Sequence, residues 1–156
     1  MRSSTRTSGP AALAPPPPAP ELAGRLRLVV ARLARRLRQE ADAGVTVSQL
    51  SVMATLSRSG PTTLGELAAM EGVQPPSMTK IVAALERARL VTREADVADG
   101  RVAWVRLSQE GQRLIHRSRS RKNAFLARRL RDLSPAERAT LERAVPILER
   151  LLGGAE

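Results

Sequence analysis

The segment from Thr62 to Gly111 constrains the fold more than any other part of the chain. The spacing of its apolar residues changes from helix-like to strand-like, and turn-forming residues separate the successive stretches. Thr63 and Glu66 have the spacing of a helix capping box, and Gly72 is placed to end that short helix in a left-handed conformation. Pro75 fits the first turn of a second helix, where the amide hydrogen that proline lacks would have no partner. The segment therefore predicts two short helices joined by a tight turn.

The second helix is predicted to be amphipathic and to lead into a β-hairpin. Its apolar positions recur at helical spacing, at Met78, Ile81, Val82 and Leu85. Its small and polar N-terminal residues point away from that face. Leu90 to Glu94 and Val102 to Leu107 are rich in strand-forming residues. Asp96, Asp99 and Gly100 favour a turn between them. This order predicts a winged helix-turn-helix, which is a DNA-binding module, with the hairpin as its wing.

Helices with apolar stripes are predicted on both sides of this segment. The first stripe consists of Leu22, Leu26, Val29, Val30, Leu33 and Leu37. Thr46 and Gln49 repeat the capping-box spacing, and so do Ser134 and Glu137 before the last helix. Ser108 can cap the helix that directly follows the hairpin. The fold class is therefore mainly α with a small β-hairpin wing. We divide the chain into a disordered proline-rich arm (1–20), an N-terminal helix (21–45), the winged helix-turn-helix (46–108) and C-terminal helices (109–152).

The charge of the chain favours an anionic partner. Lysine and arginine number 26 against 15 acidic residues, which gives a formal net charge of +11 at pH 7. Nucleic acid and an acidic membrane face are both candidates. All but two of the basic residues are arginine, as GC-rich coding can also produce, so the charge alone does not establish binding.

Residue types that several other functions need are scarce. Cysteine is absent and His116 is the single histidine, which argues against disulfides, a thiolate nucleophile and a metal centre. We expect no enzymatic activity, no catalytic site, no metal and no cofactor. No apolar run approaches the roughly 18 to 20 residues that cross a bilayer, and Pro15 to Pro18 interrupt the apolar part of the N-terminus. We therefore expect a protein that stays in the cytoplasm and has no membrane partner.

The stretch LERARLVTREADVADGRVAWVRLSQEG, residues 85–111, resembles the MarR family of bacterial transcriptional regulators. The family pattern is Leu-x-x-x-Gly-Leu-Val-x-Arg, then Asp-Pro-x-Asp-x-Arg, then Leu-Thr-x-x-Gly. The residues that match it are Leu85, Leu90, Val91, Arg93, Asp96, Asp99, Arg101, Leu107 and Gly111. Arg89 replaces a Gly, Val97 replaces the Pro, and Ser108 replaces the Thr. The resemblance covers roughly residues 21–152.

The resemblance implies an obligate homodimer that binds an inverted-repeat operator. We predict a repressor, and the sequence leaves activation open as the alternative. The resemblance assigns dimerisation to the N-terminal helix and to the C-terminal helices. The apolar stripes of residues 21–43, 109–132 and 134–152 are compatible with this assignment, because one small domain need not bury all of them. The alternative, that these helices pack together within a monomer, stays open.

The helix over residues 75–88 is expected to lie in the major groove of double-stranded DNA. Four polar side chains at its start can contact base edges or nearby phosphates: Gln74, Ser77, Thr79 and Lys80. Pro76 can contact a thymine methyl group. Arg101, near the tip of the wing, is expected to enter the minor groove, with Asp99 orienting it through an ion pair. The alternative for these last two residues is a solvated turn with an incidental ion pair.

The resemblance also implies a small ligand that releases the protein from DNA. The chain has one Phe, one Trp and no Tyr, so aliphatic and basic side chains would line a pocket and suit a small amphipathic or anionic ligand. His116 and Arg117 are the candidates for binding it. They belong to the basic stretch 112–131. The alternatives to an effector site are that this stretch is simply the solvated face of a helix, or that it contacts DNA phosphates. Trp104 is expected to hold the wing against the helices.

Two other functions fit the same sequence. A non-specific architectural DNA-binding protein would use the same positive charge, and a protein-interaction module would use the winged helix to contact a protein partner. Comparison of specific and random duplexes at physiological salt separates a regulator from an architectural protein. Failure to bind DNA, together with recovery of a protein partner, would favour the interaction module.

Overall fold

The computed structural model of the chain describes residues 17–41, 44–96 and 102–153. In chain order the elements are α1 (Ala19–Ala41), α2 (Val47–Ser59), β1 (Thr62–Thr63), α3 (Leu64–Glu71), α4 (Pro75–Arg87), β2 (Val91–Ala95), β3 (Ala103–Leu107), α5 (Gln109–Arg131) and α6 (Pro135–Leu151). This mainly helical arrangement with a small antiparallel sheet confirms the predicted fold class. The chain divides after Arg35, within α1, into two compact units, and the second unit holds every later element.

The first helix begins earlier than the sequence predicted. α1 starts at Ala19 rather than at Glu21, inside the segment predicted as a disordered arm. Pro20 is tolerated there because the amides of a first helical turn have no intrahelical partner. Residues 1–16 of the predicted arm lie outside the described residues. Large apolar side chains that α1 leaves exposed are Leu22, Leu28, Val29, Val30 and Leu33.

Three helices begin with the capping boxes that the sequence predicted. The boxes are Thr46 with Gln49, Thr63 with Glu66, and Ser134 with Glu137. The Glu66 carboxylate accepts the Thr63 amide at 2.9 Å and the Thr63 hydroxyl at 2.8 Å. The hydrogen bond from the Thr63 amide, which has the larger effect, and the one from the Thr63 hydroxyl hold the pKa of Glu66 below its ordinary value. The box therefore stabilises the fold above the ordinary glutamate pKa, and this contribution is lost as the pH falls through the lowered value.

The sheet contains a strand that the sequence did not predict. β1 consists of two residues and pairs antiparallel with β3, which lies between β1 and β2. Thr63 is opposite Trp104 in this pairing, and Val91 of β2 is opposite Leu107. Two residues are too few to show the alternation that identifies a strand, so the sequence indicated Thr63 only as a helix cap. β1 connects the start of α3 to the wing.

A hydrophobic core lies between α2, α3, α4, the sheet and the first half of α5. The predicted apolar face of α4 is confirmed, since Met78, Val82 and Leu85 are all 0% exposed and Ile81 is partly buried against them. The other buried members of this core are Val52, Met53, Leu56, Leu67, Ala68, Leu90, Val91, Val105 and Ile115. In contrast, α6 contains no buried residue among those that the structure describes.

Arg89, Leu90, Ser108 and Gly111 form a joint at which α4, the wing and α5 meet. Arg89 has a left-handed backbone, with φ 57°, and the amides of Arg89 and Leu90 donate to carbonyls of the last turn of α4 at 2.8 and 2.9 Å. This is a Schellman motif, in which glycine usually takes the left-handed position. The Leu90 carbonyl accepts the Ser108 amide at 3.0 Å, and Gly111 lies directly against the same carbonyl. The glycine of the family pattern at position 111 is therefore required by a close approach of two backbones.

We predict that Gly111→Ala destabilises the protein by about 2 to 3 kcal/mol, the upper part of the range for overpacked sites. A Cβ atom at this position would overlap the Leu90 carbonyl oxygen, which is a backbone atom and cannot turn away, and it would lie 3.2 Å from Leu107 Cδ2. Urea unfolding measures the change. Gly65→Ala is the matched control, because a Cβ atom there meets nothing within 4 Å, and it should stabilise α3 by up to about 1 kcal/mol. Equal stability of the Gly111 variant and the wild type would contradict the close approach.

Candidate nucleic-acid interface

α4 carries the residues predicted to contact DNA on its solvent side. Gln74 is the N-cap and Pro75 is the first helical residue. The predicted contact residues described by the structure are all exposed: Gln74, Pro76, Ser77, Thr79 and Lys80. Met78, between them, is fully buried. The N-terminal half of α4 is therefore small, polar and accessible on one side and anchored in the core on the other.

The polar groups on this face have bonding capacity left. The Thr79 hydroxyl donates to the Pro75 carbonyl at 3.0 Å, which leaves its oxygen able to accept a further hydrogen bond. Among the described residues, the side chains of Gln74 and Lys80 have no hydrogen-bond or ion-pair partner. An amide and an ammonium group in this position can reach a base edge or a phosphate without first breaking a contact within the protein.

The charge on α4 is also arranged for an anionic partner. The acidic residue of the helix is Glu86, near its C-terminal end, and Lys80 lies closer to the N-terminus, where the helix dipole is positive. The Glu86 carboxylate is 3.7 Å from Nε of Arg93 on β2. At this distance the two groups attract each other electrostatically but do not form a hydrogen bond. The Arg93 guanidinium thus offsets the carboxylate on the helix that would otherwise repel phosphates.

The base of the wing is held by side-chain and backbone hydrogen bonds. The Trp104 indole N–H donates to the Asp96 carboxylate at 2.8 Å, and the Asp96 amide donates to the Val102 carbonyl at 2.9 Å. Trp104 therefore braces the wing within the sheet, where Thr63 and Glu94 flank it on β1 and β2. The tip of the wing, residues 97–101, lies outside the described residues, so the roles given to Asp99 and Arg101 stay predictions.

The first two turns of α5 are less cationic than the sequence suggested. Glu110 lies 3.4 Å from Arg113 and 3.1 Å from Arg117, so one carboxylate partly neutralises two of the arginines. Arg117 and His116 are both exposed. Neither is among the residues that line four grooves of the described surface, and their role in binding an effector stays a prediction.

A groove of about 650 Å³ opens instead between the C-terminal end of α1, the start of α2 and α5. Two basic side chains, Arg38 and Lys122, border it, and Val45, Leu50 and Ala54 are among the apolar residues that line it. Arg38 was not predicted as a site residue, because Lys122, its basic neighbour in the groove, is distant in the chain. Lys122 was in the basic stretch already noted, and it is one of only two lysines in the chain.

Arginine side chains connect the C-terminal end of α1 to α5. Two guanidinium groups lie over the ring of Phe125, the single phenylalanine of the chain. Cζ of Arg36 is 5.7 Å and Cζ of Arg129 is 5.4 Å from its ring centroid. Arg121 Nη1 donates to the Ala41 carbonyl at 3.5 Å. Cation–π contacts and a long hydrogen bond thus join the end of α1, where Ala41 lines the groove, to α5.

Within the described residues, acidic, histidine and cysteine side chains form no cluster that could hold a metal ion. None of the described helices is both long and apolar enough to cross a membrane.

Comparisons with known proteins agree with this geometry. The MarR family profile matches residues 45–103. An HTH-type transcriptional regulator of Mycobacterium leprae is 39% identical over 132 residues, which cover 84% of this chain and 92% of the relative. The HTH-type transcriptional repressor MdtR of Bacillus subtilis is 31% identical over 113 residues, 72% of this chain and 71% of the relative. The structure of a MarR family protein from Bacillus stearothermophilus superposes with a TM-score of 0.76 and 28% identity, covering 86% of this chain and 95% of that one.

The matched profile spans α2, both helices of the helix-turn-helix and β2, and it ends at the first residue of β3. The relatives extend the similarity over most of the remaining chain. Family, fold and the exposed face of α4 thus agree with the resemblance that residues 85–111 carry. The chain belongs to the MarR family of winged helix-turn-helix transcriptional regulators.

Proposed function

We propose that this protein is a sequence-specific DNA-binding regulator that binds an inverted-repeat operator as a homodimer and represses transcription. The observation that carries the proposal is the exposed, small and polar N-terminal half of α4, whose opposite face is completely buried. Repression is supported by the relative named as a transcriptional repressor. A protein that binds chromosomal operators acts in the bacterial cytoplasm.

In the proposed docking, α4 enters the major groove with its N-terminal half against the bases. The Gln74 amide can pair with an adenine edge, and the Lys80 ammonium can donate to a guanine or to a phosphate. Ser77 and Thr79 supply hydroxyl groups at the flanks, and Pro76 supplies an apolar contact for a thymine methyl group. Arg101 enters the adjacent minor groove from the wing, with Asp99 as its orienting partner.

We predict that Lys80→Ala and Arg101→Ala each weaken operator binding by about 1 to 3 kcal/mol, because each removes a contact to the bases. Fluorescence anisotropy with an operator selected from random-sequence duplexes measures the loss. Arg119→Ala is the control, since it removes one positive charge from an exposed position of α5 that does not line the proposed effector groove, and it should leave operator affinity unchanged.

Three outcomes would count against the proposal. Unchanged affinity in both variants at matched salt would refute the docking mode. Equal affinity of the wild type for operator and random duplexes would indicate an architectural DNA-binding protein. Absence of DNA binding, with a protein partner recovered instead, would indicate an interaction module.

The homodimer is supported by apolar surface that the single chain leaves uncovered. α6 contains no buried residue, although its sequence is rich in large apolar side chains. The exposed ones are Leu141, Val145, Ile147, Leu148 and Leu151. α1 exposes a further set of five. Contiguous apolar helix faces of this kind are typical of surfaces that a partner subunit covers. A twofold dimer would also place two α4 helices against two half-sites about one helical turn, roughly 10 bp, apart.

We predict that Leu148→Glu converts the dimer into monomers. In the monomer the glutamate would be exposed to solvent, but in the dimer interface its charge would be buried without a partner. The expected loss of association free energy is about 3 kcal/mol or more. Sedimentation equilibrium measures it. Met70→Glu is the control, since Met70 is exposed on α3, away from the proposed interface. Monomeric wild-type protein, or an unchanged dimer in the Leu148 variant, would contradict this interface.

The effector proposed for this regulator is an amphipathic anion bound in the groove between α1, α2 and α5. Its apolar part would contact Val45, Leu50 and Ala54, and its anionic group would lie between Arg38 and Lys122. A ligand there touches both α2, which belongs to the winged helix core, and α5. It can therefore shift the equilibrium between DNA-competent and DNA-incompetent arrangements if it binds them with different affinity.

We predict that octanoate lowers operator affinity and that Lys122→Gln removes this response, because the variant loses a charge that holds the carboxylate. Operator binding titrated with octanoate measures the effect. Octanol tests the need for the anionic group, and Arg119→Gln tests a basic residue of α5 that does not line the groove. An equal response in the Lys122 variant, or a response to octanol, would place the effector elsewhere.

A further inference from the structure

One side chain in the joint of Arg89, Leu90, Ser108 and Gly111 bonds to both α5 and the turn that ends α4. The Ser108 hydroxyl donates to the Arg89 carbonyl at 2.7 Å and accepts the Gly111 amide at 3.0 Å. A serine hydroxyl has a single proton, and the bond to the Arg89 carbonyl uses it. The side chain thus bridges the end of α4 and the first turn of α5, which are 19 positions apart along the chain.

We propose that Ser108 is a positioning residue for DNA recognition, whose hydroxyl sets the angle of α4 relative to α5. This inference rests on the proposed function, because it takes α4 as the helix that reads DNA and α5 as part of the dimer. Ser108 acts through the Arg89 carbonyl and the α5 backbone. Its effect is on where α4 is placed in each half of the dimer.

The geometry of the joint makes the hydroxyl the contact that a substitution can remove. The Schellman bonds of Arg89 and Leu90, and the bond from the Ser108 amide to the Leu90 carbonyl, are made by backbone atoms. Arg89 is held at φ 57°, a conformation that is unfavourable for a residue with a side chain. Without the Ser108 hydroxyl, the Arg89 carbonyl loses its link to α5, and the chain at this turn gains freedom to relax.

Such freedom affects specific and non-specific DNA binding differently. Hydrogen bonds to base edges need the donor and acceptor within a few tenths of an ångström, so they depend on the angle of α4. Phosphate attraction tolerates a range of positions and supplies most of non-specific binding. In a dimer, the angle between α4 and α5 also sets the distance between the two recognition helices, and hence the half-site spacing that is accepted.

Substitutions at one position can separate this role from helix capping. Ser108→Thr keeps both hydrogen bonds and is the conservative variant. Ser108→Ala removes both. Ser108→Asp keeps an acceptor for the Gly111 amide but, as a carboxylate, has no proton to donate to the Arg89 carbonyl. Gln109→Asp places the same charge on the next residue and leaves the Ser108 hydroxyl intact, which makes it the charge control.

The measurements are affinity for the selected operator, affinity for a random duplex, and binding to operators whose half-sites are moved by one base pair. We expect Ser108→Ala to lower operator affinity about three- to tenfold, the range for one hydrogen bond to a base edge lost when α4 is misplaced, with random-duplex affinity unchanged. Ser108→Asp should show the same loss relative to Gln109→Asp, and both should discriminate less between half-site spacings. Ser108→Thr should behave as the wild type. Wild-type operator affinity and spacing preference in the Ala and Asp variants, at a temperature where all are folded, would overturn the proposal.

A distance measurement tests the joint without DNA. The chain has no cysteine, so spin labels would attach only to cysteines that are introduced. Two exposed positions suit them: Arg87→Cys on α4 and Arg128→Cys on α5. In dimers diluted with unlabelled chain, we expect one narrow distance distribution that broadens or shifts in Ser108→Ala and Ser108→Asp but not in Ser108→Thr. An unchanged distribution in the Ala and Asp variants would overturn the proposal. If the wild type selects no operator, the proposed function fails, while this measurement still decides the role of Ser108.

Discussion

Burial of one face of α4 is the interaction on which the rest of this structure depends. Met78, Val82 and Leu85 are completely removed from solvent, and residues of α2, α3 and the sheet surround them. A helix with three side chains fixed in a close-packed core cannot rotate about its axis without exposing them. The polar residues on its other side are therefore presented in one orientation, which is what recognition of base edges requires.

The contacts beyond this core are of a different kind. The start of α5 is joined to α4 by hydrogen bonds at Ser108 and by the close approach at Gly111. The end of α1 meets α5 through guanidinium groups around Phe125. α6 buries nothing within the described chain. The helix that we propose reads DNA is thus rigid. The parts that would assemble the dimer and respond to a ligand are held by fewer and more polar contacts, which are easier to rearrange.

Much of this architecture could be predicted, because helix signals are local. The capping boxes at Thr46, Thr63 and Ser134 involve residues three positions apart, and all three are present. The buried stripe of α4 follows from helical periodicity alone. β1 escaped prediction because a two-residue strand has no period, and its partner Trp104 is distant in the chain. The groove beside Lys122 escaped for the same reason, since Arg38 approaches it only after folding.

The amino-acid sequence by itself determined where helices begin, which of their faces are apolar, and the family to which the chain belongs. These properties depend on interactions within about one turn of helix or on residue identities at fixed spacing. Only the tertiary structure decided that Arg89 takes a left-handed conformation in place of a glycine, that Ser108 links α4 to α5, and that a groove forms between α1, α2 and α5. Those features depend on contacts between segments far apart in the chain, whose energies no local pattern records.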